Sequence, residues 1–495
     1  MLFNSDVFLR FFLAFLFLYW LVRNNLKARN VLIVLASYLF YAWWAPAGET
    51  TAFTADLVGY VSAALWHGRF LGLLVLTSLV DFSVGLGLER LQSQVKRKLL
   101  LSASIAVNLG ILGFFKYWNF FVDSFAAAMA AAGFDVHPRT LGLVLPVGIS
   151  FYTFQSMSYE IDVYRRDIPA TRSLLHFLAF VSFFPQLVAG PIERARHLLP
   201  QFGHTVIITR AMLEEGIWLI LWGMFKKVTL ADNFAPLVEM AFGAGTAVAS
   251  YSAPTVVLGT LAFGLQIYCD FSGYSDIARG LARVLGFDIM WNFDLPYAAT
   301  NLREFWRRWH ISLSSWLRDY LYISLGGNRR GRSRTYVNLL ITMLLGGLWH
   351  GAAWNFVLWG LWHGVGLALL RSPICQWQLP IGTPFLRRVF AWVITMLFVF
   401  YGWLLFRADS LEQIAGMTIA LGNFSAPLWL GSFALNLVAF ALPLALMEFW
   451  QWRAGDKLIA LALPVWAKAA LQGGLLIGIL LFWERAKEPF IYFQF

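Results

Sequence analysis

Charge is what this chain has least of. Only 13% of its 495 residues are Asp, Glu, Lys or Arg, against about 25% in an ordinary soluble domain. No polar stretch is long enough to fold alone, so a soluble enzyme with a charged surface is excluded. Cysteine is equally scarce. Cys269 and Cys375 are the only two, both beside or within apolar segments, and no Cys-x-x-Cys or Cys/His metal spacing exists. A disulfide framework, a structural zinc and a zinc-dependent Asp-His-His-Cys palmitoyltransferase are thereby disfavoured. No Gly-x4-Gly-Lys-Ser/Thr phosphate loop occurs, which disfavours an ATP-driven pump. No Gly-x-Ser-x-Gly elbow occurs, which disfavours a serine hydrolase. None of the eight histidines opens a His-x4-Asp acyltransferase signature, and no low-complexity linker appears.

What is present is apolar and aromatic. Hydrophobic residues make up 59% of the chain, with 23 Trp and 45 Phe, many near segment ends, where aromatic belts form. Apolar runs lie near 7–22, 30–46, 70–88, 99–131, 141–158, 174–190, 211–230, 255–269, 335–349, 353–370, 386–406, 432–450 and 466–483. A bilayer span needs about 20 such residues, so the pattern predicts an all-α polytopic membrane protein. We expect about ten to twelve transmembrane helices plus interfacial or re-entrant ones, by the same length rule. The start, Met1-Leu2-Phe3-Asn4-Ser5-Asp6, lacks a basic region and no cleavage site follows, so it reads as a retained first helix. Residues 1–495 are read as one integral-membrane domain, with a core at about 141–370.

The net charge is +11. Lys and Arg accumulate in cytoplasmic loops, which places Arg23/Lys27/Arg29, Arg90/Lys96/Arg97/Lys98, Arg194/Arg196, Lys226/Lys227 and Arg329/Arg330/Arg332/Arg334 on that side. The last run flanks the candidate site.

That site centres on His350. The segment Leu345-Gly-Gly-Leu-Trp-His-Gly-Ala-Ala-Trp-Asn355 is apolar, with no carboxylate within thirteen residues of the imidazole on either side. An ionisable ring at membrane depth costs free energy and marks functional sites. Burial keeps the ring neutral, the form a general base requires. A core histidine bonded to a carbonyl is the plainer alternative. Gly346, Gly347, Gly351, Ala352 and Ala353 let neighbouring segments approach closely. A short repeat links Gly347-Leu-Trp-His350-Gly with Gly360-Leu-Trp-His363-Gly. Thirteen residues turn a helix by about 220°, so on one continuous helix the two rings face opposite ways unless glycine breaks it.

Residues 301–322 place Trp306, Trp309, Leu313, Trp316 and Tyr320 at helical spacing, and Arg303, Arg307, Ser314 and Arg318 on another face. This predicts an amphipathic interfacial helix that carries His310 near the water boundary. Its arginines suit a phosphate-rich donor, because guanidinium pairs with phosphate bidentately; anchoring in the interface is the simpler role. Asp270 and Asp276 close an apolar run and are expected to pair with Arg279 or a backbone turn. A metal site is disfavoured, since no third ligand accompanies them.

Longer motifs carry a resemblance. They are Leu145-Pro-Val-Gly-Ile-Ser-Phe-Tyr-Thr-Phe-Gln155, Phe184-Pro-Gln-Leu-Val-Ala-Gly-Pro-Ile-Glu-Arg194, Asp270-Phe-Ser-Gly-Tyr-Ser-Asp276 and Asn292-Phe-Asp-Leu-Pro-Tyr297. Further along stand Glu304-Phe-Trp-Arg-Arg-Trp-His-Ile-Ser-Leu-Ser314, Trp316-Leu-Arg-Asp-Tyr-Leu-Tyr322, Leu348-Trp-His-Gly-Ala-Ala-Trp-Asn355 and Pro489-Phe-Ile-Tyr-Phe-Gln-Phe495. The chain resembles the membrane-bound O-acyltransferase superfamily, above all its bacterial branch that O-acetylates exported polysaccharides.

That resemblance implies a helical membrane fold with a central funnel, and it implies the following roles. His350 is the essential histidine and His310 the second family position. Beside these, the residues themselves make Arg303, Arg307 and Arg318 the expected donor-binding set and Asp270, Ser272, Asp276, Trp349 and Asn355 the expected funnel lining. The donor is acetyl-CoA or a related thioester; no metal, resident cofactor or nucleic acid is expected. The acceptor is an exopolysaccharide, alginate-like or cellulose, reached directly or through a periplasmic partner protein. The setting is the bacterial inner membrane. The rival reading is a transporter or a flippase for a lipid-linked or polymer precursor, since buried His and Asp also relay protons. The inverted symmetry usual in transporters is not evident. A non-catalytic scaffold is a third reading.

Overall fold

The computed structural model describes residues 3–43, 57–136, 140–188, 190–243, 251–372, 383–483 and 490–491; for 57–67 it gives the backbone alone. Among the described residues the chain is helical, with no strand. Cys375 and most of the C-terminal motif lie outside them. The residues separate into two compact units, 1–213 with 281–290, and 214–280 with 291–495.

The first unit holds α1 (Asp6–Val22), α2 (Leu26–Ala42), α3 (Leu57–Arg90), α4 (Gln94–Leu112), α5 (Trp118–Ala131), α6 (Ile149–Arg165) and α7 (Leu174–Ser182). Small polar side chains start several of them. Ser5 Oγ accepts from Phe8 N at 3.1 Å, and Asn25 Oδ1 from Ala28 N at 3.1 Å, satisfying amides that a helix start leaves without partners. The long run at 99–131 is interrupted by one π-helical turn, Gly113–Tyr117. The run at 141–158 becomes helical only from Ile149, after Gly148 at φ 70°. Arg97, one of the basic residues read as loop markers, is buried. It donates to Leu88 O at 3.0 Å, Val163 O at 3.1 Å and Tyr164 O at 2.8 Å. Two helix C-termini thus share one guanidinium, whose charge offsets their dipoles.

The second unit contains most of α8 (Arg210–Met224), whose first residues fall in the first unit. It continues through α9 (Asp232–Phe242), α10 (Ala253–Val284, divided between the units), α11 (Leu302–Arg308), α12 (Ile311–Trp316), α13 (Arg332–His350) and α14 (Trp354–Leu369). It closes with α15 (Pro384–Arg407), α16 (Leu411–Ala420), α17 (Leu430–Ala454) and α18 (Val465–Phe482).

Among the described residues, six helical stretches are long and apolar enough to cross a bilayer: Gly68–Arg90, Gln94–Ala131, Ala253–Val284, Pro384–Arg407, Leu430–Ala454 and Val465–Phe482. The remaining expected spans fall on helices that are shorter or more polar. α7 has 9 residues and α14 has 16. α6 buries Gln155, Ser156, Ser158, Glu160 and Asp162. α17 and α18 present Leu435, Leu442, Leu446, Leu476, Leu480 and Leu481 outward, a surface that suits lipid and not water.

Candidate functional site

The expected amphipathic helix over 301–322 is three pieces. α11 begins with a reciprocal cap: Asn301 Oδ1 accepts from Glu304 N at 2.9 Å, while Glu304 Oε2 accepts from Thr300 N at 2.9 Å. It ends at Arg308. His310 then takes a left-handed backbone, φ 42° and ψ 55°, before α12 starts. For a side-chain-bearing residue that conformation costs about 1–3 kcal/mol and persists only where surrounding contacts impose it. The kink turns Trp309, His310 and Leu313 inward, all buried, so His310 is not at the water boundary. Arg303, Arg307 and Arg318 remain exposed, and Arg318 pairs with its neighbour Asp319 at 2.7 Å.

His350 is the last residue of α13; the chain is extended at Gly351 and restarts as α14 at Trp354. The glycine break separates the two repeat histidines onto antiparallel helices. Gly347 and Gly360 make the crossing possible. A Cβ on Gly347 would lie 2.2 Å from Phe356 O, and one on Gly360 would lie 2.4 Å from Met343 O. The result is that both imidazoles flank one indole. Trp359 stands 5.0 Å from the His350 ring and 5.0 Å from the His363 ring, centroid to centroid.

His350 is 5% exposed. Its ring also meets Trp349 at 5.1 Å and Phe406 at 5.3 Å. His310 comes within 6.3 Å of it, and within 5.7 Å of Trp349 and 4.5 Å of Phe271. The two candidate histidines, forty residues apart in sequence, therefore share one buried aromatic enclosure. Burial disfavours the charged form of the His310 ring. Asn355 Nδ2 donates to Phe406 O and Ala408 O, both at 3.0 Å, fixing the start of α14 against the end of α15.

The α10 carboxylates take partners from a neighbouring segment. Asp270 and Asp276 lie inside a continuous helix and do not turn the chain, and Arg279 bonds Glu215 at 3.1 Å. A π-helical segment, Phe225–Ala231, turns Lys226 and Lys227 inward. Lys226 Nζ lies 2.6 Å from Asp276 Oδ2 and donates to Ser272 Oγ at 2.9 Å. Lys227 Nζ bridges Asp232 at 2.7 Å and Asp270 at 2.8 Å. These lysines are buried, so they are not loop charges; buried ions persist because they are paired. Asp270 Oδ2 also accepts from Ile491 N at 2.7 Å. No cluster of three His, Cys, Asp or Glu suited to a metal occurs among the described residues.

Asn292 was not singled out from sequence, although it opens one of the quoted motifs. It sits on an irregular stretch and binds both His310 and Ser312. Its only sequence signal is a polar residue between two apolar aromatics.

A helical membrane protein with paired buried imidazoles is the class that fold and geometry define. The profile of the membrane-bound O-acyltransferase family matches residues 165–411. A probable alginate O-acetylase, AlgI, of Azotobacter vinelandii is 44% identical over 86% of this chain and 78% of its own length. Its counterpart in Pseudomonas putida is 39% identical over the whole of both chains. A peptidoglycan O-acetyltransferase of Helicobacter pylori is 35% identical over 83% of this chain and 78% of its own. The chain belongs to the membrane-bound O-acyltransferase family. It is an acyltransferase and a multi-pass membrane protein.

Proposed function

We propose that this protein O-acetylates an exported polysaccharide, alginate-like or cellulose, with acetyl-CoA or a related cytoplasmic thioester as donor. The acetyl group crosses the inner membrane and reaches the polymer directly or through a periplasmic partner protein. The observation that carries this reading is the 6.3 Å approach of His310 and His350 inside one aromatic enclosure, together with the 39% and 44% identities to alginate O-acetylases. The acyltransferase core of this reading is residues 141–370.

His350 removes the proton of the attacking hydroxyl as its oxygen bonds to the acyl carbon. The carbon–sulfur bond breaks and the proton ends on the departing thiolate. Such general-base help is worth about 10²–10⁴-fold. His310 is the second imidazole on the proton's route. The exposed Arg303, Arg307 and Arg318 hold the phosphates of the donor. Trp349 and Asn355 shape the enclosure, whereas Asp270, Ser272 and Asp276 act through their bonds to Lys226 and Lys227. No metal or resident cofactor takes part.

The test is His350→Ala in cells that make the polymer, with membrane levels confirmed by immunoblot. Polymer O-acetyl content falls at least about 100-fold, the lower end of the general-base range. Retained acetylation refutes the assignment. Flipping of a lipid-linked sugar by the purified protein in liposomes, without any acyl donor, favours transport instead.

A further inference from the structure

One amide decides the protonation pattern of the second histidine. Asn292 Oδ1 lies 3.2 Å from the backbone nitrogen of Ser312, 2.9 Å from Ser312 Oγ and 3.2 Å from His310 Nδ1. Its Nδ2 donates to Ser275 Oγ at 3.1 Å. A backbone N–H can only donate, so the amide atom facing Ser312 is the oxygen; the flipped amide would set donor against donor. An amide oxygen can only accept. A bare Nδ1 at 3.2 Å would oppose lone pair to lone pair, so Nδ1 carries the hydrogen. Ser312 Oγ, 3.3 Å from the same nitrogen, does not reverse this, because its own hydrogen points at Oδ1 over the shorter separation. In a neutral imidazole one nitrogen donates and the other accepts. With hydrogen on Nδ1, the lone pair is on Nε2.

We propose that Asn292 is a positioning residue of the acyl transfer: it fixes the His310 proton on Nδ1, so that the ring meets the reaction with Nε2 as a proton acceptor. This rests on the acyl-transfer reading above and deepens it. A ring fixed this way does not donate a hydrogen bond from Nε2 to the acyl oxygen. It takes at Nε2 the hydroxyl proton that His350 has removed, which leaves His350 neutral again, becomes imidazolium with Nδ1–H still on Asn292, and gives that proton to sulfur. The balance is complete. The hydroxyl oxygen gains the acyl carbon, sulfur keeps the electron pair of the broken bond, and the hydroxyl proton ends on sulfur. Phe271 of α10 and Trp349 and His350 of α13 pack on the ring; of these His350 is the titratable one. The arrangement parallels the way a carboxylate sets the catalytic ring's tautomer in serine hydrolases.

The experiment is nitrogen-15 solid-state NMR of the full-length, histidine-labelled protein in lipid nanodiscs, with the His310 signals assigned by difference from His310→Gln. The wild type shows a protonated Nδ1 and an unprotonated Nε2, and Asn292→Leu shows loss of that preference. In turnover, Asn292→Leu lowers kcat about 100-fold with little change in KM, the scale of a general base lost. Asn292→Asp keeps an acceptor on Nδ1, restores activity to within about threefold of wild type, and moves the acid limb of the pH–rate profile upward, because a carboxylate favours the imidazolium. An Nε2–H tautomer in the wild type overturns the proposal, as does wild-type kcat with an unmoved pH profile in both variants. The wild-type spectrum decides even where Asn292→Leu fails to fold. The spectrum needs no turnover, so retained acetylation in His350→Ala defeats the functional reading separately, whatever tautomer His310 holds.

Discussion

Lys227 shows how single side chains hold this protein together. Its ammonium bridges the Asp232 and Asp270 carboxylates. Lys227→Met keeps the volume and removes the charge, leaving two buried anions face to face. Removing one partner of a buried ion pair costs about 3–5 kcal/mol. We expect a markedly lower melting temperature in detergent, checked by the intrinsic fluorescence of the many tryptophans. Asp270→Asn, which keeps an acceptor for Ile491 N, is expected to cost less; a larger loss than Lys227→Met contradicts this account. His350 was legible at the same scale because its segment lacks carboxylates. The lysines were not, because two consecutive basic residues after an apolar run look the same whether they face headgroups or turn inward on a π-helical segment.

Helical elements were legible where pattern and length agree. α13, α14, α15, α17 and α18 begin and end within a few residues of the predicted runs. The failures share a cause. A period of 3.6 over 301–322 reads as one helix, but nothing in the spacing of Trp306, Trp309 and Leu313 announces a left-handed His310. The repeat Gly-Leu-Trp-His-Gly was legible as a possible break, and the structure places that break at Gly351. The crossing of α13 and α14 depends on hydrogen atoms where other residues have carbon. Gly360→Ala puts a methyl 2.4 Å from Met343 O, and overpacking of this kind costs about 1–3 kcal/mol. Because His350 ends the helix that must move, specific activity falls further than the melting temperature alone accounts for. Equal activity per folded molecule in Gly360→Ala and wild type contradicts this.

At the scale of the whole molecule, composition sufficed for the class: a chain with 13% charged residues and 59% hydrophobic ones belongs in lipid. Long-range pairing was not readable from it. His197 joins segments ninety-one residues apart, with Nδ1 3.0 Å from Glu193 Oε2 and Nε2 3.1 Å from Asp288 Oδ2. The hydrogen bonds to Asp288 and then Glu193 raise its pKa from 6.5 to about 10. A group whose pKa rises on folding stabilises the fold fully below its unfolded value, and that contribution disappears as pH climbs through the folded value. The melting temperature of the wild type therefore declines between about pH 6.5 and pH 10, the window set by those two values. The ring is 40% exposed, so solvent screening keeps the effect small. His197→Gln flattens that part of the curve; an unchanged slope in the variant rules the assignment out.

The bond from Ile491 N to Asp270 spans 221 positions. During synthesis, the carboxylate in α10 waits for an amide that the ribosome adds hundreds of codons later. Until then, the acid must be hydrated or bonded elsewhere, so this corner of the protein is finished last. Proline at position 491, which has no amide hydrogen, would leave that carboxylate oxygen without this bond however well the rest of the protein had assembled.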